Sequence, residues 1–236
     1  MCVRYTLHKL DKAVAAIVQA IEHPLAFSAG AKPRYNVALT SVVPTVAVQD
    51  GRPELRDMMW GLVLPPSGNR PKSTLLPNAK AETVAKLPSF KAAAQRRRCL
   101  VPANGFYEWR KEGAIKAPYV FMLHDEEPFA FAGIWEPAAA NLPETFCILT
   151  TAPNELVATV HNRMPVMLTG EMMPRWLGDQ PLPELELRDL TRPFPAERMT
   201  VRAVNRFVSN SRNEGPQCLA PPDEPEPELW LGDGVH

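Results

Sequence analysis

Short runs of β-branched and aromatic residues, separated by turn-forming residues, recur along most of this chain and limit its possible folds more than any other feature. Proline, glycine, asparagine and aspartate punctuate them, and proline alone occurs 26 times. Runs of this kind predict a sheet-rich, antiparallel core. The strand-like runs are residues 41–49, 54–64, 117–125, 129–136, 144–151 and 198–204.

Other segments have helical periodicity. Apolar residues recur at helical spacing in residues 9–23, which predicts one amphipathic helix after a short first strand. Residues 82–98 and 152–161 also have helical character, and Pro153 suits the first turn of the second of these helices. Strands mixed with a few helices predict an α+β domain.

The length of the chain is sufficient for one domain with its own core. Of its 236 residues, 45% are apolar, so it can bury a substantial core without disulfides or metals. The segment from Pro216 onward is acidic and rich in proline, which is typical of a tail that does not need to pack. We therefore expect a domain over residues 1–217 and a tail over residues 218–236.

The charge balance excludes a global attraction to polyanions. Lysine and arginine together number 26, as do aspartate and glutamate. No overall field draws such a chain onto nucleic acid or an anionic membrane, so any polyanion site must be a local patch.

Cysteine spacing and the length of the apolar runs indicate the cellular compartment of the protein. Cys2, Cys99, Cys147 and Cys218 show no C-x-x-C spacing, which favours reduced thiols in a cytosolic compartment. No apolar stretch approaches the roughly 20 residues that span a bilayer, and no signal peptide is evident. These features predict a soluble cytoplasmic protein, associated with the nucleoid if it is bacterial. The scattered histidines and the lack of nucleotide-binding motifs predict no metal and no cofactor.

Reactive side chains lie in a few polar motifs that strand-like sequence surrounds. They offer a thiol at Cys2, an amide at Asn78, carboxylates at Glu82 and Glu108, and an imidazole at His161. Each also has a structural interpretation. Cys2 could be a small buried residue, Glu108 a solvent-facing strand residue and His161 a core or cap histidine.

Seven motifs occur in order along the chain: MCVRY, PRYNVA, NAKAET, RRRCLVPANGFYEW, AGIWE, TTAPNELVATVHNRMPVML and NSRNEGP. Taken together, they resemble the motifs of the SOS response-associated peptidase (SRAP) family, whose members cross-link to abasic DNA. The resemblance runs from Met1 to about Gln217.

The resemblance implies a fold and a reaction. The implied fold is a single α+β domain on a curved, barrel-like antiparallel sheet, flanked by helices, with one concave face that binds single-stranded DNA. The implied reaction is a covalent DNA-protein cross-link at an abasic site, formed by a monomer without a cofactor. Removal of Met1 would give Cys2 both a free α-amine and a thiol, which together can close a thiazolidine ring on the sugar aldehyde.

The resemblance also implies roles for particular residues. Glu108 matches the family's catalytic carboxylate, which transfers protons. His161 matches a histidine near the sugar that can assist strand scission or reversal of the cross-link. Asn78 matches an asparagine whose amide holds the sugar and the Schiff base. Glu82 is expected to support its segment rather than react. The family's DNA-binding face, which contacts phosphates, corresponds to Arg4, Lys80, Thr150 and Arg163.

The chain departs from the family pattern at several places. Val3 stands where the family usually has glycine, Lys80 replaces a more usual arginine, and Leu39 replaces a proline common in relatives. Residues 61–77 contain no aromatic residue, whereas relatives commonly carry a tryptophan-containing wedge there. Leu62, Leu64 and Pro65 could form an apolar substitute, but without base stacking we expect weaker DNA binding.

Two other functions compete with cross-linking. An N-terminal cysteine with its own α-amine as base could hydrolyse an amide, as the family's name suggests. A non-enzymatic module could instead bind intact single-stranded DNA as tightly as abasic DNA. Turnover distinguishes the first alternative, and preference for the lesion distinguishes the second.

Overall fold

The computed structural model of the protein describes residues 2–26, 31–64, 73–113, 115–139 and 142–223, with the side chain of residue 112 left out. The α-helices are α1 (Leu10–Ile21), α2 (Pro88–Arg96), α3 (Glu155–Ala158), α4 (Met172–Trp176) and α5 (Glu184–Leu190). The strands are β1 (Arg4–Leu7), β2 (Arg34–Ala38), β3 (Val42–Gln49), β4 (Arg52–Trp60), β5 (Leu62–Leu64), β6 (Thr74–Leu76), β7 (Asn78–Lys80), β8 (Arg98–Ala103), β9 (Gly105–Glu112), β10 (Ile115–Leu123), β11 (Phe129–Glu136), β12 (Thr145–Thr151), β13 (Met164–Pro165), β14 (Met167–Leu168) and β15 (Met199–Ala203).

The strands form two main sheets. One has five strands in the order β15-β10-β9-β1-β2, all antiparallel. In the other, β12 pairs with both β4 and β11, so the strands β12-β4-β3-β8-β11 close into a ring-like sheet. The expected α+β class and curved sheet are thus confirmed. Two pairings differ from the antiparallel expectation, because β12 runs parallel to β4 and to β7.

The ring strands β8, β11 and β12 bury both of their faces. Along β11, Phe129 and Phe131 point into a cluster shared with the five-stranded sheet, while Ala130, Ala132 and Ile134 point into a second cluster with the helices. This alternation follows from the two-residue period of a strand. Tyr5 of β1 contacts Phe131 edge-to-face at 5.5 Å between ring centroids, which ties the five-stranded sheet to the ring.

Glycine fixes the chain path at two places near these sheets. The run 54–64 is not one strand, because Gly61 adopts φ of 122° and separates β4 from β5. Gly105 opens β9 against β10, where a Cβ atom would lie 2.7 Å from the carbonyl oxygen of Phe121. Only glycine therefore allows β9 to approach β10 closely at its first residue.

The predicted helical segments are shorter than expected. Helix α2 begins at Pro88 rather than near residue 82, since proline is preorganised for the first helical position and cannot extend a helix upstream. In α3, Asn154 caps the N-terminus and Pro153 lies outside the helix, contrary to the expected place of Pro153. The short helices α4 and α5 were not predicted.

The first residues of the segment from Pro216 onward pack against the domain, whereas the sequence predicted a tail that does not need to pack. Residues Pro216–Leu219 form a 3₁₀ helix, and Cys218 is buried in a small cluster with Val204 and Val208. The backbone N–H of Asn205 donates to the carbonyl of Ala220 at 2.8 Å. Residues 224–236, most of the predicted tail, lie outside the described residues.

Candidate active site

Cys2 lies two residues before β1, which is an inner strand of the five-stranded sheet. Its side chain is 1% exposed, and its thiol donates to the carbonyl of Arg4 at 3.7 Å. Burial, followed by the negative charge of Glu108, raises the pKa of the Cys2 thiol well above its usual value. The thiol therefore stays protonated near neutral pH until a neighbouring base removes its proton.

Glu108 lies on β9 and is 3% exposed, so it is not the solvent-facing strand residue that the sequence also allowed. Within the part of the chain that the structure describes, its Oε1 atom is buried without a hydrogen-bond partner. Burial raises the pKa of the Glu108 carboxyl to about 7. A carboxyl with this pKa can donate and accept protons in turn at physiological pH.

His161 follows α3 and approaches Glu108. Its Nδ1 atom lies 3.9 Å from Oε1 of Glu108 and 3.0 Å from the carbonyl oxygen of Arg163. The backbone N–H of His161 donates to the carbonyl of Val157 at 2.8 Å, which fixes the end of α3. Burial lowers the pKa of the imidazole, so the neutral form dominates near pH 7.

Asn78 begins β7, beside the strand that leads into α3. Its side-chain amide donates to the carbonyl of Ile148 at 3.4 Å, whereas its Oδ1 atom is buried without a partner among the described residues. Asn78 is not among the residues that line the cleft at Glu108 and His161. Its unused acceptor is free for a donor that arrives with a ligand.

A cleft of about 700 Å³ opens at Glu108 and His161, within the usual size range of ligand sites. Sequence reasoning had selected only part of its lining. The full lining is Val3, Arg4, Glu108, Trp109, Ile115, Lys116, His161, Arg206 and Ser209. The NSRNEGP motif begins at Asn210, directly after Ser209. It was the sequence signal that could have indicated that Arg206 and Ser209 line the cleft.

The cations that were predicted to contact DNA differ in how many hydrogen bonds and ion pairs they already form within the protein. Arg4 donates to Oδ1 of Asn36 and to the carbonyl of Val208, both at 2.9 Å. Arg163 forms a forked ion pair with Glu82, with N–O distances of 2.6 and 2.9 Å. It also donates to the carbonyl of Thr150 at 2.6 Å, and Thr150 is only 2% exposed. Lys80 is exposed beside this pair.

The described residues contain no group of three or more His, Cys, Asp or Glu side chains that could hold a metal ion. All four cysteines are buried and unpaired in disulfides. None of the helices in the described ranges is both long and apolar enough to cross a membrane.

Comparisons with known proteins agree with this fold. The sequence profile of the SOS response associated peptidase (SRAP) family matches residues 1–211, so the chain belongs to this family. It is 34% identical to the abasic site processing protein YoqW of Bacillus subtilis over 191 residues, 79% of this chain and 85% of that protein. It is 28% identical to the abasic site processing protein YedK of Escherichia coli over 226 residues, 94% of this chain and 100% of that protein.

Solved structures support the same conclusion about the fold. A crystal structure of a protein from Bacteroides thetaiotaomicron superposes with a TM-score of 0.71 at 28% identity, covering 93% of this chain and 99% of that one. A phage-related protein from Bordetella bronchiseptica superposes with a TM-score of 0.70 at 26% identity, covering 90% and 99%.

Proposed function

We propose that the protein processes abasic sites in single-stranded DNA, as a monomer, by forming a covalent cross-link through Cys2 after Met1 has been removed. Relatives named abasic site processing proteins support the target. The observation that carries the chemistry is the burial of Cys2 beside Glu108, a carboxyl whose pKa lies at about 7.

The reaction follows from the two groups that Cys2 would carry as the first residue. An α-amine with a pKa near 7.7–8.0 is partly neutral at physiological pH, so it can add to the aldehyde of the ring-opened sugar. Loss of water gives a Schiff base. The S–H bond of the same residue then adds across the C=N bond and closes a five-membered thiazolidine. Because the thiol and the imine belong to one residue, this closure is intramolecular and gains a large effective molarity.

Glu108 is the proton carrier in this scheme. Its protonated form donates to the oxygen that leaves as water during formation of the Schiff base. The resulting carboxylate then accepts the proton of the Cys2 thiol, whose raised pKa prevents ionisation without a base. One carboxyl with a pKa near 7 can perform both steps in sequence.

His161 and Asn78 assist at the sugar. The neutral His161 imidazole, 3.9 Å from Glu108, can exchange a proton with that carboxyl and with the ring oxygen of the sugar, and the same exchange can promote strand scission. The unpaired Oδ1 of Asn78 can accept a hydrogen bond from a sugar hydroxyl or from the protonated Schiff base.

A cross-linking assay tests the proposal. Protein whose Met1 removal is confirmed by intact mass is mixed with a single-stranded oligonucleotide carrying one abasic site, and the products are separated on a denaturing gel. We expect one slow-migrating species that requires both the abasic site and Cys2. Undamaged DNA and the variant Cys2→Ala serve as controls.

The same assay separates the other functions. An adduct that forms equally well with Cys2→Ala, or no adduct with a free N-terminal Cys2, would overturn the proposal. In the second case, turnover of an amide substrate would favour the hydrolase, and equal affinity for intact and abasic DNA would favour a binding module.

A further inference from the structure

The cleft is also lined by two cations that the proposed chemistry does not use. Lys116 and Arg206 line it together with Glu108 and His161. Lys116 lies on β10, and Arg206 begins the 3₁₀ helix Arg206–Ser209. Both side chains are exposed, and no carboxylate among the described side chains forms an ion pair with either of them.

This availability contrasts with the two arginines selected from the sequence. Arg163 is held by a forked pair with Glu82, and Arg4 directs its guanidinium to Asn36 and to the carbonyls of Val208 and Ser209. A phosphate can bind these two arginines only in competition with protein acceptors. Lys116 and Arg206 require no such exchange.

The segment that carries Arg206, residues 205–219, is fixed against the sheet; we call it the strap. The amide of buried Asn36 donates to the carbonyls of Val208, Asn210 and Asn213 at 3.2, 3.0 and 2.9 Å. The carboxylate of Glu214 accepts the backbone N–H groups of β2 at Tyr35 and Asn36. These bonds hold the backbone at Arg206 in place before any ligand arrives, which lowers the entropy cost of binding.

We propose that Lys116 and Arg206 form an anion site for the backbone phosphate next to the abasic sugar, within the cleft that Glu108 and His161 also line. This assignment rests on the proposed function, since it takes single-stranded DNA as the ligand. The guanidinium of Arg206 can bind two phosphate oxygens at once, whereas Lys116 supplies a compact point charge. The site compensates in part for the absent aromatic wedge, because phosphate contacts require no base stacking.

Non-covalent binding tests this site without the cross-linking step. The probe is a single-stranded oligonucleotide with one tetrahydrofuran in place of the abasic sugar, which keeps the phosphates but has no aldehyde. For Lys116→Ala/Arg206→Ala we expect binding about ten-fold weaker at low salt. The magnitude of the slope of log association constant against log salt should fall by about 0.7, since the two cations share one phosphate and each phosphate contact on a single strand contributes about 0.7.

Two further variants make this result specific. Arg52→Ala/Lys91→Ala removes one arginine and one lysine that are exposed and do not line the cleft, so it should keep the wild-type slope. Lys116→Arg/Arg206→Lys keeps both charges and should restore most of the affinity. The site is overturned if the double alanine variant keeps the wild-type slope, or if the control double variant loses as much.

Cross-linking to a true abasic oligonucleotide separates failure of the site from failure of the function. If the wild type forms no adduct while the two cations still set the salt slope, the covalent function is wrong and the anion site stands. If the adduct forms and the salt slope does not depend on Lys116 and Arg206, the covalent function stands and the anion site is wrong.

Discussion

At the scale of single residues, burial decides the chemistry of Glu108. A carboxyl that loses its hydration favours the neutral form, which moves its pKa from 4.5 to about 7. The folded state therefore binds this proton more tightly than the unfolded state does. Between pH 4.5 and 7, the folded protein carries the extra proton, so the free energy of unfolding falls as the pH rises.

This sign gives a prediction for Glu108→Gln, which cannot ionise. From pH 4 to pH 8, the free energy of unfolding of the variant should improve relative to the wild type by up to about 3 kcal/mol, since one pKa unit corresponds to about 1.4 kcal/mol. Urea unfolding at pH 4, 6 and 8 measures it. Glu54→Gln, at an exposed glutamate, controls for the substitution. A difference between wild type and Glu108→Gln that does not change with pH would contradict the buried, proton-binding state.

A second residue-scale prediction concerns the pair between Glu82 and Arg163. Glu82 is about half exposed, so the pair is of the kind that contributes little to stability and can be exchanged for another anion. Glu82→Gln should release Arg163 for a phosphate, tightening DNA binding several-fold and increasing the salt slope by about 0.7. Fluorescence anisotropy with the tetrahydrofuran oligonucleotide measures both quantities.

The Arg163→Ala background is the control for this effect. If Glu82→Gln tightens binding as much without Arg163, the gain comes from the general loss of a negative charge, and the interpretation of a released arginine fails.

At the scale of elements, α3, the shortest α-helix among the described residues, positions a reactive group. In α3, Oδ1 of Asn154 accepts the N–H of Val157 at 2.8 Å, and its amide donates to the carbonyl of Phe194 at 2.7 Å. Val157 in turn accepts the backbone N–H of His161. The Asn154 cap therefore helps to fix the backbone of His161, through the turn of helix that ends with the bond from His161 to Val157.

We predict that Asn154→Ala lowers the free energy of unfolding by about 2 kcal/mol, because a buried cap and a buried carbonyl each lose their partner. The rate of cross-linking should fall as well, since the end of α3 loosens. Asn154→Asp keeps the capping acceptor and should recover part of both losses. Asn162→Ala, at the exposed residue next to His161, is the matched control, and equal effects of the two alanine substitutions would contradict the capping role.

The limits of sequence reasoning show at this same scale. Short continuous runs of β-branched and aromatic residues predicted β3, β11 and β12 closely, because both faces of each strand pack against other elements. The helix-like run 152–161 predicted a helix but placed Pro153 inside it, since Pro and Asn both mark helix starts and only the fold shows which one caps. The parallel pairing of β12 with β4 could not be predicted, because residues far apart in the chain form it.

At the scale of the whole molecule, the site combines segments from both ends of the chain. Cys2, Glu108 and His161 were selected from the sequence through a family resemblance, and the structure brings the carboxyl to within 3.9 Å of the imidazole. The lining cations Lys116 and Arg206 were missed, since neither residue lies in a motif of reactive groups. The position of Arg206 depends on the strap folding back onto β2, a contact between residues some 170 or more apart in sequence.

This folding back also bears on where the domain ends, which we propose to test by truncation. A chain ending at residue 217 loses buried Cys218, together with the carbonyls of Leu219 and Ala220 that bind Arg202 and Asn205. A chain ending at residue 223 keeps all of these contacts and loses only the acidic, proline-rich remainder.

We predict that the chain ending at 217 is less stable than the full chain by about 2 kcal/mol or more, since it forfeits one buried side chain and two hydrogen bonds. The chain ending at 223 should match the full chain, because a segment of that composition buries little apolar surface. Urea unfolding of the three proteins, with hydrogen exchange on residues 205–219, measures the difference. Equal stability of all three proteins would place the end of the folded domain at residue 217 or before. If the chain ending at 223 were already as unstable as the chain ending at 217, the acidic segment 224–236 itself would stabilise the domain.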